Sequence, residues 1–529
     1  MQTMAEHRVL VVGAGIGGLV SALLLAARGL AVTLIEAADQ PGGKMRPLQV
    51  GGASMDAGPT VFTMRWVFDE LLHDVGTSTA AALPPLMPLS VLARHAWRAD
   101  GSQLDLFADR AQSADAIARF SSPAEGQRYL AFCDEAARVY RQMESPHIRS
   151  SRPGLMQMVS DLGPRGLSTL AALGPMASLA TALGRRFEDP RLRQLFGRYA
   201  TYCGASPWAA PATLMLVAHV EQAGVWAVQG GMAALAQSLA DLLVARGGRI
   251  RYGARCTAIT HQAGRVSGVQ LHSGESLAAD AVVFNGDTSA LAPLLGDAAG
   301  QAPRPVPASG RSLSAMTWAL HAAVPRVEGG FDLSRHNVFF DDDYASEFVD
   351  IFQRRVLPRR GTVYVCAQDR QDDGAVPQGA ERLLVLVNAP PDGDSRSFED
   401  PETEACQTRC MALLRHCGLS LDLRPGPQVL RRTPADFNRL YPATGGALYG
   451  PSSHGWMALF KRPSAQTPVP GLYLAGGSAH PGPGVPMAAM SGRLAAATLM
   501  AHLDSTHRSR RVHISGGTSM PSAMTATMH

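Results

Sequence analysis

The clearest pattern of apolar and polar positions lies near the start of the chain, in RVLVVGAGIGGLVSALLLAARGLAVTLIE at residues 8–36. The continuous apolar run at residues 9–12 is typical of a buried parallel strand. The leucine- and alanine-rich residues 17–29 predict a helix that ends at Gly29, and residues 31–35 predict a second buried strand. The segment therefore predicts a β-α-β unit.

The turn between the first strand and the helix has the pattern G-x-G-x-x-G at Gly13, Gly15 and Gly18. In such a turn the first glycine permits the bend, the second lets the backbone approach a pyrophosphate, and the third brings the helix close to the sheet. The helix N-terminus favours the anion through its free N–H groups and its dipole. Glu36 follows the second strand, where a ribose 2′-hydroxyl needs an acceptor. These features predict a dinucleotide site for FAD or NAD.

Apolar patterns farther along the chain predict a return to the same sheet. A helix is predicted from Gln229 to Arg246, and residues 249–287 contain short strands separated by glycine turns, which is typical of a β-meander. Near the C-terminus, residues 472–475 predict a strand. A last helix is predicted to start at Pro486, because proline is favoured in a first helical turn, and to run to about residue 502.

Two long regions separate these elements. Residues 66–152 predict helices with polar interruptions, whereas residues 309–463 predict strands, TVYVCAQDR and RLLVLVNA, together with a helix at 406–419. The second region is expected to form the floor and walls of a substrate domain. Residues 504–529, rich in Ser, Thr, Met, Arg and His, predict a disordered tail.

Composition excludes several classes of function. A chain of 529 residues with 46% hydrophobic and 17% charged residues is globular and large enough for two or more structural regions. A net charge of +4 and an aromatic content of 6% argue against nucleic-acid binding. Seven cysteines, an odd number without a compact framework, predict a reducing compartment. The first apolar segment is a predicted strand and not a signal peptide, so the protein is expected to be cytoplasmic or bound to the inner face of a membrane.

Three cysteines and a histidine require a choice between metal binding and packing. The spacing of Cys406, Cys410 and Cys417 places them on one helical face, and His416 lies beside them. Small apolar residues on a buried helical stripe explain this pattern better than metal ligands do. No metal is predicted.

The uncharged stretch at residues 166–184 reaches the lower length limit of a membrane-spanning helix. It is diluted by Ser, Thr, Gly and Pro175, which argues against a span. Arginines flank it at Arg165, Arg185, Arg186, Arg191, Arg193 and Arg198. Two interpretations remain: a segment in an anionic membrane interface, or a buried helical hairpin with a solvated basic flank.

Several motifs together resemble one protein family. G-x-G-x-x-G, Glu36, PGGKMR at residues 41–46 and MDAGPT at residues 55–60 resemble the flavin-dependent amine oxidase and phytoene desaturase superfamily. The C-terminal GLYLAGGSAHPGPGVPMAAMSGRLAA looks like the carotenoid desaturase branch, although Gly476-Gly477-Ser478 stands where amine oxidases have Gly-Asp or Gly-Glu. The resemblance extends from Val9 to about His502.

The resemblance implies an α/β fold. It consists of a Rossmann-like FAD-binding domain of the two-dinucleotide-binding flavoprotein type, an α+β substrate domain and a helical membrane-facing region. The FAD-binding domain would be assembled from residues 1–78, 228–300 and 466–503. The helical substrate- and membrane-facing region would comprise residues 79–227, and the substrate domain residues 301–465.

The resemblance also implies which residues bind FAD. Lys44 and Arg46 suit the phosphates, and the backbone around Cys256 would face the adenine. The start of the last helix would point at the flavin pyrimidine ring, where a reduced flavin is negatively charged. The residues expected to bind FAD are Gly13, Gly15, Gly17, Gly18, Glu36, Gly43, Lys44, Arg46, Gly58, Pro59, Thr60, Cys256, Gly476, Gly477, Gly484, Val485, Pro486 and Met487. No second G-x-G-x-x-G with a trailing acid follows, so quinone or oxygen is expected as the electron acceptor rather than a nicotinamide.

Three segments look most like the 1-hydroxycarotenoid 3,4-desaturases. They are GGASMDAGPTVFTMRWVFDELLHDVG, HVEQAGVWAVQGGMAALAQSLADLL and TVYVCAQDRQDDGA. That branch implies C-3,4 dehydrogenation of an acyclic 1-hydroxy- or 1-methoxy-carotenoid, such as hydroxyneurosporene or rhodopin, beside the inner photosynthetic membrane of purple bacteria. Physical reasoning alone gives a large apolar substrate taken from a membrane.

Desaturation of a hydrocarbon needs hydride transfer to the flavin and a base for the proton. His480, next to the flavin turn, is the candidate base, and a structural turn residue is the alternative interpretation. Phytoene desaturase, flavin amine oxidase and a non-catalytic flavin-binding protein remain as other functions. An amine oxidase is expected to have aromatic residues at its flavin face, and the sequence between Ala475 and Arg493 has none.

Overall fold

The computed structural model describes residues 7–151, 176–325, 328–371 and 375–512, with the side chains of the last helix described as far as Ser505. The strands of the described residues are β1 (Arg8–Val12), β2 (Ala31–Ile35), β3 (Pro47–Val50), β4 (Ala53–Asp56), β5 (Leu86–Pro88), β6 (Val91–Trp97), β7 (Gln103–Phe107), β8 (Trp226–Val228), β9 (Arg249–Arg251), β10 (Cys256–Gln262), β11 (Arg265–Leu271), β12 (Ser276–Ala278), β13 (Ala281–Phe284), β14 (Ser314–Ala323), β15 (His336–Phe340), β16 (Val363–Ala367), β17 (Ala380–Ala389), β18 (Val429–Arg432) and β19 (Leu472–Leu474).

The α-helices of the same residues are α1 (Ile16–Ala27), α2 (Trp66–Asp74), α3 (Thr79–Ala82), α4 (Arg110–Phe120), α5 (Pro123–Met143), α6 (Leu179–Gly184), α7 (Pro190–Gly197), α8 (Leu216–Gln222), α9 (Gly231–Ala245), α10 (Leu291–Leu294), α11 (Tyr344–Val349), α12 (Asp400–His416), α13 (Pro434–Leu440) and α14 (Val485–Val512).

The predicted β-α-β unit forms the centre of a parallel five-stranded sheet with the order β19-β13-β1-β2-β9. All four apolar residues of β1 are buried, since both faces of a parallel sheet are covered. Helices α1, α9 and α14 contribute to the core on one face. The antiparallel strands β10, β11 and β12, the predicted meander, share the core on the other face. Three segments far apart in sequence therefore build one parallel sheet.

A second sheet of seven strands has the order β18-β14-β17-β16-β15-β6-β7. Alternate residues of β17 face opposite sides, as the period of a strand requires. Leu383, Val385 and Val387 pack in a core with helix α12. Leu384 and Leu386, between them in sequence, line a cavity on the other face. This sheet separates a packed core from the space in which a ligand can lie.

The prediction that residues 66–152 are helical was wrong for the segment that contains β5, β6 and β7. Strands β6 and β7 pair as a hairpin at the edge of the seven-stranded sheet, and the turn between them contains Asp100 and Gly101. The Asp100 side chain accepts hydrogen bonds from the backbone N–H and hydroxyl of Ser102. An Asp-Gly turn followed by alternating apolar residues was the available signal for this hairpin.

The structure decides the cysteine question in favour of packing. Cys406 and Cys410 lie on α12 and are buried in the core beneath the seven-stranded sheet. Cys417, the residue after the helix, is buried in the same core. The described residues contain no group of three or more His, Cys, Asp or Glu side chains arranged to hold a metal ion. The prediction of a buried helical stripe is confirmed.

The last helix is longer than predicted. It begins at Val485, next to the predicted start, but extends to Val512 and so overlaps the first part of the predicted disordered tail. The rest of that tail lies outside the described residues. Most of the uncharged stretch at 166–184 also lies outside them, and its described part ends in α6. Among the helices that the structure describes, none is both long and apolar enough to cross a membrane.

Candidate functional site

The glycine loop is closely packed against the Gly42–Gly43 turn. The Gly42 N–H donates a 2.8 Å hydrogen bond to the Ala14 carbonyl. A Cβ atom on Gly43 would lie 3.2 Å from the Cα of Gly15. At Gly15, the N-cap of α1, no side chain caps the helix, so its first N–H groups can receive an anion. The loop, the helix start and the turn together could hold a pyrophosphate.

The Glu36 carboxylate is fixed at the end of β2. It accepts hydrogen bonds from the backbone N–H groups of Ala14, at 2.6 Å, and Ala38, at 2.8 Å. Each carboxylate oxygen has further acceptor capacity, so these bonds orient Glu36 and leave it able to accept from a ribose. The Ala254 N–H donates to the Glu36 carbonyl at 2.8 Å, which places the strand that begins at Cys256 beside this end of the loop.

Gly17 joins the fingerprint to the C-terminal segment. A Cβ atom there would lie 2.8 Å from the Ala488 carbonyl oxygen and 2.8 Å from the Gly476 nitrogen. A Cβ on Gly492 would lie 2.2 Å from the Gly17 carbonyl oxygen. Helices α1 and α14 therefore approach each other at these small residues. The glycine loop and the Gly476–Gly477 turn therefore lie next to each other.

Asn285, which follows β13, was missed by sequence reasoning. Its Nδ2 donates a 3.1 Å hydrogen bond to the Gly13 carbonyl, and its side chain is among the groups that a Cβ on Gly15, Gly17 or Gly18 would meet within 3 Å. The only feature of the sequence that could have indicated this contact was a polar residue directly after a buried apolar strand. Its role depends on the sheet order, which places β13 beside β1.

The two cations after the glycine turn lie under a loop from a distant part of the chain. Lys44 Nζ donates a 2.5 Å hydrogen bond to the Leu448 carbonyl and lies 5.2 Å from the centre of the Tyr441 ring. The Arg46 guanidinium lies 5.4 Å from that ring. Burial lowers the pKa of Lys44, because the charged form loses hydration. A Cβ on Gly58 would lie 1.9 Å from the Lys44 carbonyl oxygen, so Gly58-Pro59-Thr60 packs directly on this turn.

A cavity with an open volume of about 320 Å³ begins where these segments meet. Gly58, Pro59 and Thr60 line it on one side, and Gly484, Val485, Pro486 and Met487 on another. Most of its remaining wall is apolar, as suits an apolar chain. The apolar side chains that line it include Met143, Ile148, Leu214, Leu216, Val217, Val220, Leu384, Leu386 and Leu459.

One part of the cavity wall is polar. Arg198 Nη1 donates to the Tyr202 hydroxyl at 3.2 Å, and the Tyr202 hydroxyl donates to Glu221 Oε1 at 2.7 Å. The Tyr199 hydroxyl donates to the other Glu221 oxygen at 2.8 Å. Burial raises the pKa of the Glu221 carboxyl, although the two tyrosine hydrogen bonds oppose the shift. Nothing in the sequence pattern indicated that these side chains meet.

His480 is buried and holds two carbonyl groups of the segment after α5. Its Nε2 donates to the carbonyls of His147, at 2.8 Å, and Ser150, at 2.9 Å. Burial lowers the pKa of His480 to about 4. His147 and Pro481 line the cavity, whereas His480 does not. Its role as a catalytic base stays a prediction.

Arg462, also missed from the sequence, cross-links the turn before α14. Its guanidinium donates to the carbonyls of Gly477, at 2.8 Å, Pro451, at 2.9 Å, and Tyr449, at 3.1 Å. Burial lowers its pKa to about 10. Because its donors are used by backbone carbonyls, Arg462 fixes the shape of the Gly476–Gly477 turn.

The predicted basic flank after residue 184 is not a row of solvated arginines. Arg186 pairs with Glu135, and Arg191 pairs with Asp189 at 2.7 Å. Arg193 donates to the Phe187 carbonyl at 2.9 Å. Arg186, Arg191 and Arg193 therefore have protein partners, although Arg185 and Arg193 are exposed. Arg198 lies at the cavity.

Three large apolar side chains are exposed on segments that are joined by backbone hydrogen bonds, and one of them, Trp208, packs on the cavity-lining Tyr344 with ring centres 5.6 Å apart. Met176 is 85% exposed, Trp208 48% and Trp456 47%. Backbone hydrogen bonds connect their segments: the Gly455 N–H donates to Ala209, and the Ala180 N–H donates to Pro207. We call Met176, Trp208 and Trp456 the exposed apolar patch.

Comparison with known proteins identifies the family of this chain. The family of flavin containing amine oxidoreductases matches residues 16–500. A hydroxyneurosporene desaturase of Rubrivivax gelatinosus is 61% identical over 528 residues, 100% of this chain and 99% of the relative. A hydroxyneurosporene desaturase of Cereibacter sphaeroides is 45% identical over 504 residues, 95% of this chain and 99% of the relative.

Among solved structures, putrescine oxidase with bound putrescine is similar, with a TM-score of 0.58 and 17% identity over 94% of this chain and 99% of the oxidase. At this identity, the likeness shows the fold alone.

Proposed function

We propose a function that starts from the family: this chain belongs to the flavin-containing amine oxidoreductases. It is a carotenoid desaturase, an oxidoreductase that acts on CH–CH bonds, and FAD is its cofactor. The observation that supports this function is 61% identity with a hydroxyneurosporene desaturase across the whole chain.

The substrate that we propose is an acyclic carotenoid with a 1-hydroxy or 1-methoxy end, such as hydroxyneurosporene or rhodopin, and the product has a new C-3,4 double bond. The apolar cavity walls suit the hydrocarbon chain. The flavin supplies the hydride acceptor when it is bound. The chain's own residues exclude water, orient the substrate and supply the polar groups at one end of the cavity.

The described residues fit a single extended FAD. We propose that Glu36 and the backbone near Cys256 hold the adenosine. The uncapped start of α1, with Gly13, Gly15, Gly17, Gly18 and Gly43 packed around it, holds the pyrophosphate beside Lys44 and Arg46. The flavin end lies by Gly58–Thr60, Gly476–Gly477 and Gly484–Met487. The close approach at Gly17 supports this arrangement, because it brings the two ends of the site together.

Amine oxidation is the second function to test. The sequence between Ala475 and Arg493 contains no aromatic residue, but tyrosines from distant segments, Tyr202, Tyr364 and Tyr449 among them, line the cavity. The local absence therefore does not separate an amine oxidase from a desaturase.

The test is product analysis with purified holoenzyme and three substrates: 1-hydroxyneurosporene, phytoene and an amine, with quinone or oxygen as acceptor. We expect a product with one additional double bond from the hydroxylated carotenoid and none from the other two. Conversion of phytoene but not of the hydroxylated carotenoid would overturn the proposed substrate. Conversion of the amine alone would overturn the assignment as a desaturase. Purified protein that contains no flavin would overturn the assignment of FAD as the cofactor.

We further propose that the protein binds the cytoplasmic face of the photosynthetic membrane peripherally, through the exposed apolar patch. Tryptophan side chains favour the membrane interface, and Trp208 of the patch packs on Tyr344, which lines the cavity that an apolar substrate must enter. The electron acceptor would then be a membrane quinone, or oxygen.

Co-flotation with vesicles of phosphatidylcholine and phosphatidylglycerol tests the patch. We expect the double variant Trp208→Ser, Trp456→Ser to lose most of its vesicle binding, whereas Val244→Ser, at an exposed apolar position on α9, keeps it. Equal flotation of both variants and the parent protein would contradict the proposal.

A further inference from the structure

We propose that Arg198 recognises the oxygen atom at the hydroxylated or methoxylated end of the substrate, an inference that rests on the proposed function. Arg198 lines the cavity, and its described hydrogen-bond partner is the Tyr202 hydroxyl. Among the described residues, no carboxylate lies within 4.0 Å of its guanidinium. A guanidinium has five N–H donors, so most remain for a ligand.

The surroundings of Arg198 favour binding over a purely structural role. Its guanidinium lies 5.2 Å from the centre of the Tyr202 ring and 5.5 Å from that of the Tyr364 ring, so two aromatic faces hold it. Glu221 balances its charge at a distance, through Tyr202, and does not use its donors. The hydroxyl of Tyr344, on the same cavity wall, has no hydrogen-bond partner among the described residues. Donors left unpaired beside an apolar cavity are costly unless a ligand accepts from them.

The chemistry of the two substrate ends matches a donor. A hydroxyl and a methoxy group share an oxygen that accepts hydrogen bonds, but only the hydroxyl can donate. A guanidinium, which only donates, can therefore bind both, whereas a carboxylate could bind the hydroxyl alone. A hydrocarbon end leaves the donors of Arg198 unpaired. A site built in this way rejects the unsubstituted substrate strongly.

The position of Arg198 agrees with the bond that is oxidised. In a 1-hydroxycarotenoid, the oxygen is attached close to the C-3,4 bond, so its binding group must lie near the flavin. The Tyr364 hydroxyl lies 2.7 Å from Thr60 Oγ1 and 2.7 Å from His336 Nδ1. Thr60 belongs to the segment that we place at the flavin end. Contacts through Tyr364 thus connect Arg198 with the reacting end of the cavity.

Arg462 gives an informative contrast. It also lines the cavity, but backbone carbonyls accept its hydrogen bonds. Of these two cavity arginines, Arg198 is therefore the one whose donors can discriminate between substrates.

The test is the rate of flavin bleaching without oxygen, measured with 1-hydroxyneurosporene and with its parent hydrocarbon. Arg198→Met removes the donors and keeps a long side chain. We expect kcat/KM for the hydroxylated carotenoid to fall about 10- to 100-fold, the range for a lost hydrogen bond to a charged group, with no fall for the hydrocarbon. Arg198→Lys should recover part of the loss. Arg360→Met, at an exposed position, is the control.

An equal fall for both substrates would overturn the inference, because a structural role predicts it. An Arg198→Met variant with the parent's ratio of kcat/KM between the two substrates would also overturn it. Failure of the parent protein to bleach with either carotenoid would instead reject the proposed function. If Arg198→Met does not fold with flavin bound, Tyr202→Phe, which removes the hydroxyl that positions Arg198 but keeps the ring, should raise KM for the hydroxylated carotenoid alone. An unchanged KM in that variant would count against Arg198.

Discussion

Neighbouring glycines of the fingerprint have different physical roles. A Cβ on Gly18 would lie 2.1 Å from the Gly13 carbonyl oxygen, so Gly18 permits the turn itself. Gly17 permits the contact between α1 and the C-terminal segment, through Gly476 and Ala488. Gly15 lies at the uncapped start of α1, where the proposed pyrophosphate approaches. The motif thus describes the loop, but the role of Gly17, which lies between the motif glycines, becomes visible only in the folded chain.

Gly15→Val is predicted to abolish FAD binding. The side chain would occupy the pyrophosphate position, and its Cβ would lie 2.8 Å from Asn285 Nδ2. Flavin absorbance of the purified protein measures the effect, and Gly300→Val, where a Cβ meets no atom within 4 Å, is the matched control. A yellow Gly15→Val protein would contradict the prediction.

Asp56→Ala is predicted to lower the free energy of unfolding by about 1–3 kcal/mol, the cost of losing a helix cap and leaving buried donors unpaired. The buried Asp56 carboxylate accepts from the Met232 N–H at 2.8 Å and so connects the segment before Gly58 to the start of α9. Denaturant unfolding measures the change. Asp56→Asn should lose less of the free energy of unfolding, because its amide keeps one acceptor oxygen. Asp241→Ala, on the exposed face of α9, is the control. Equal stability of Asp56→Ala and the parent would refute this role.

At the scale of elements, α12 is a largely polar helix that one stripe of buried side chains attaches to the core beneath the seven-stranded sheet. Cys406, Cys410, Leu413 and Leu414 are its buried face, and they pack beneath β14, β16 and β17. The cysteines serve as small apolar residues there. The same sheet presents its opposite face to the cavity, so the packing of α12 supports the cavity wall.

The double variant Cys406→Ala, Cys410→Ala is predicted to lower the free energy of unfolding by about 1–3 kcal/mol, because two buried sulfur atoms are lost from a packed core. Its flavin content should equal that of the parent. Unfolding in denaturant and metal analysis of both proteins test this. Metal present in the parent and absent from the variant would contradict the packing role.

At the scale of the whole molecule, buried histidines make stability depend on pH. Burial lowers the pKa of His95, His147 and His336 to about 3. In the unfolded chain a histidine has a pKa of about 6.5. Below pH 6.5 the unfolded state therefore binds more protons than the folded state, and stability falls as the pH falls toward 3.

His95→Leu is predicted to make this pH dependence shallower by about 1.4 kcal/mol per pH unit between pH 6 and 4, since one proton fewer is taken up on unfolding. His95 lies in the β6–β7 hairpin and stacks on Phe340 at 6.1 Å, so a leucine can fill its apolar surroundings. Denaturant midpoints measured across this range test it, with His272→Leu at an exposed position as control. Parallel pH profiles for His95→Leu and the parent would disprove it.

The sequence by itself determined the β-α-β unit, the glycine loop with Glu36, the meander, the C-terminal strand and helix start, and the buried stripe of α12. These features are local: the period of apolar positions and the turn residues specify them within a few tens of residues. The β6–β7 hairpin had a local signal in Asp100-Gly101, which the interpretation of residues 66–152 as helices overlooked.

Only the tertiary structure decided what these elements face. Asn285 reaches Gly13 because β13 pairs with β1, and Arg462 supports the Gly476–Gly477 turn from a neighbouring loop. Arg198 looked like one of a basic flank but lies at the cavity with Tyr202 and Tyr364. Apolar periodicity reports that a face is buried, not which distant segment covers it. Contacts between residues hundreds of positions apart depend on sheet order and helix crossing, and these decide the site.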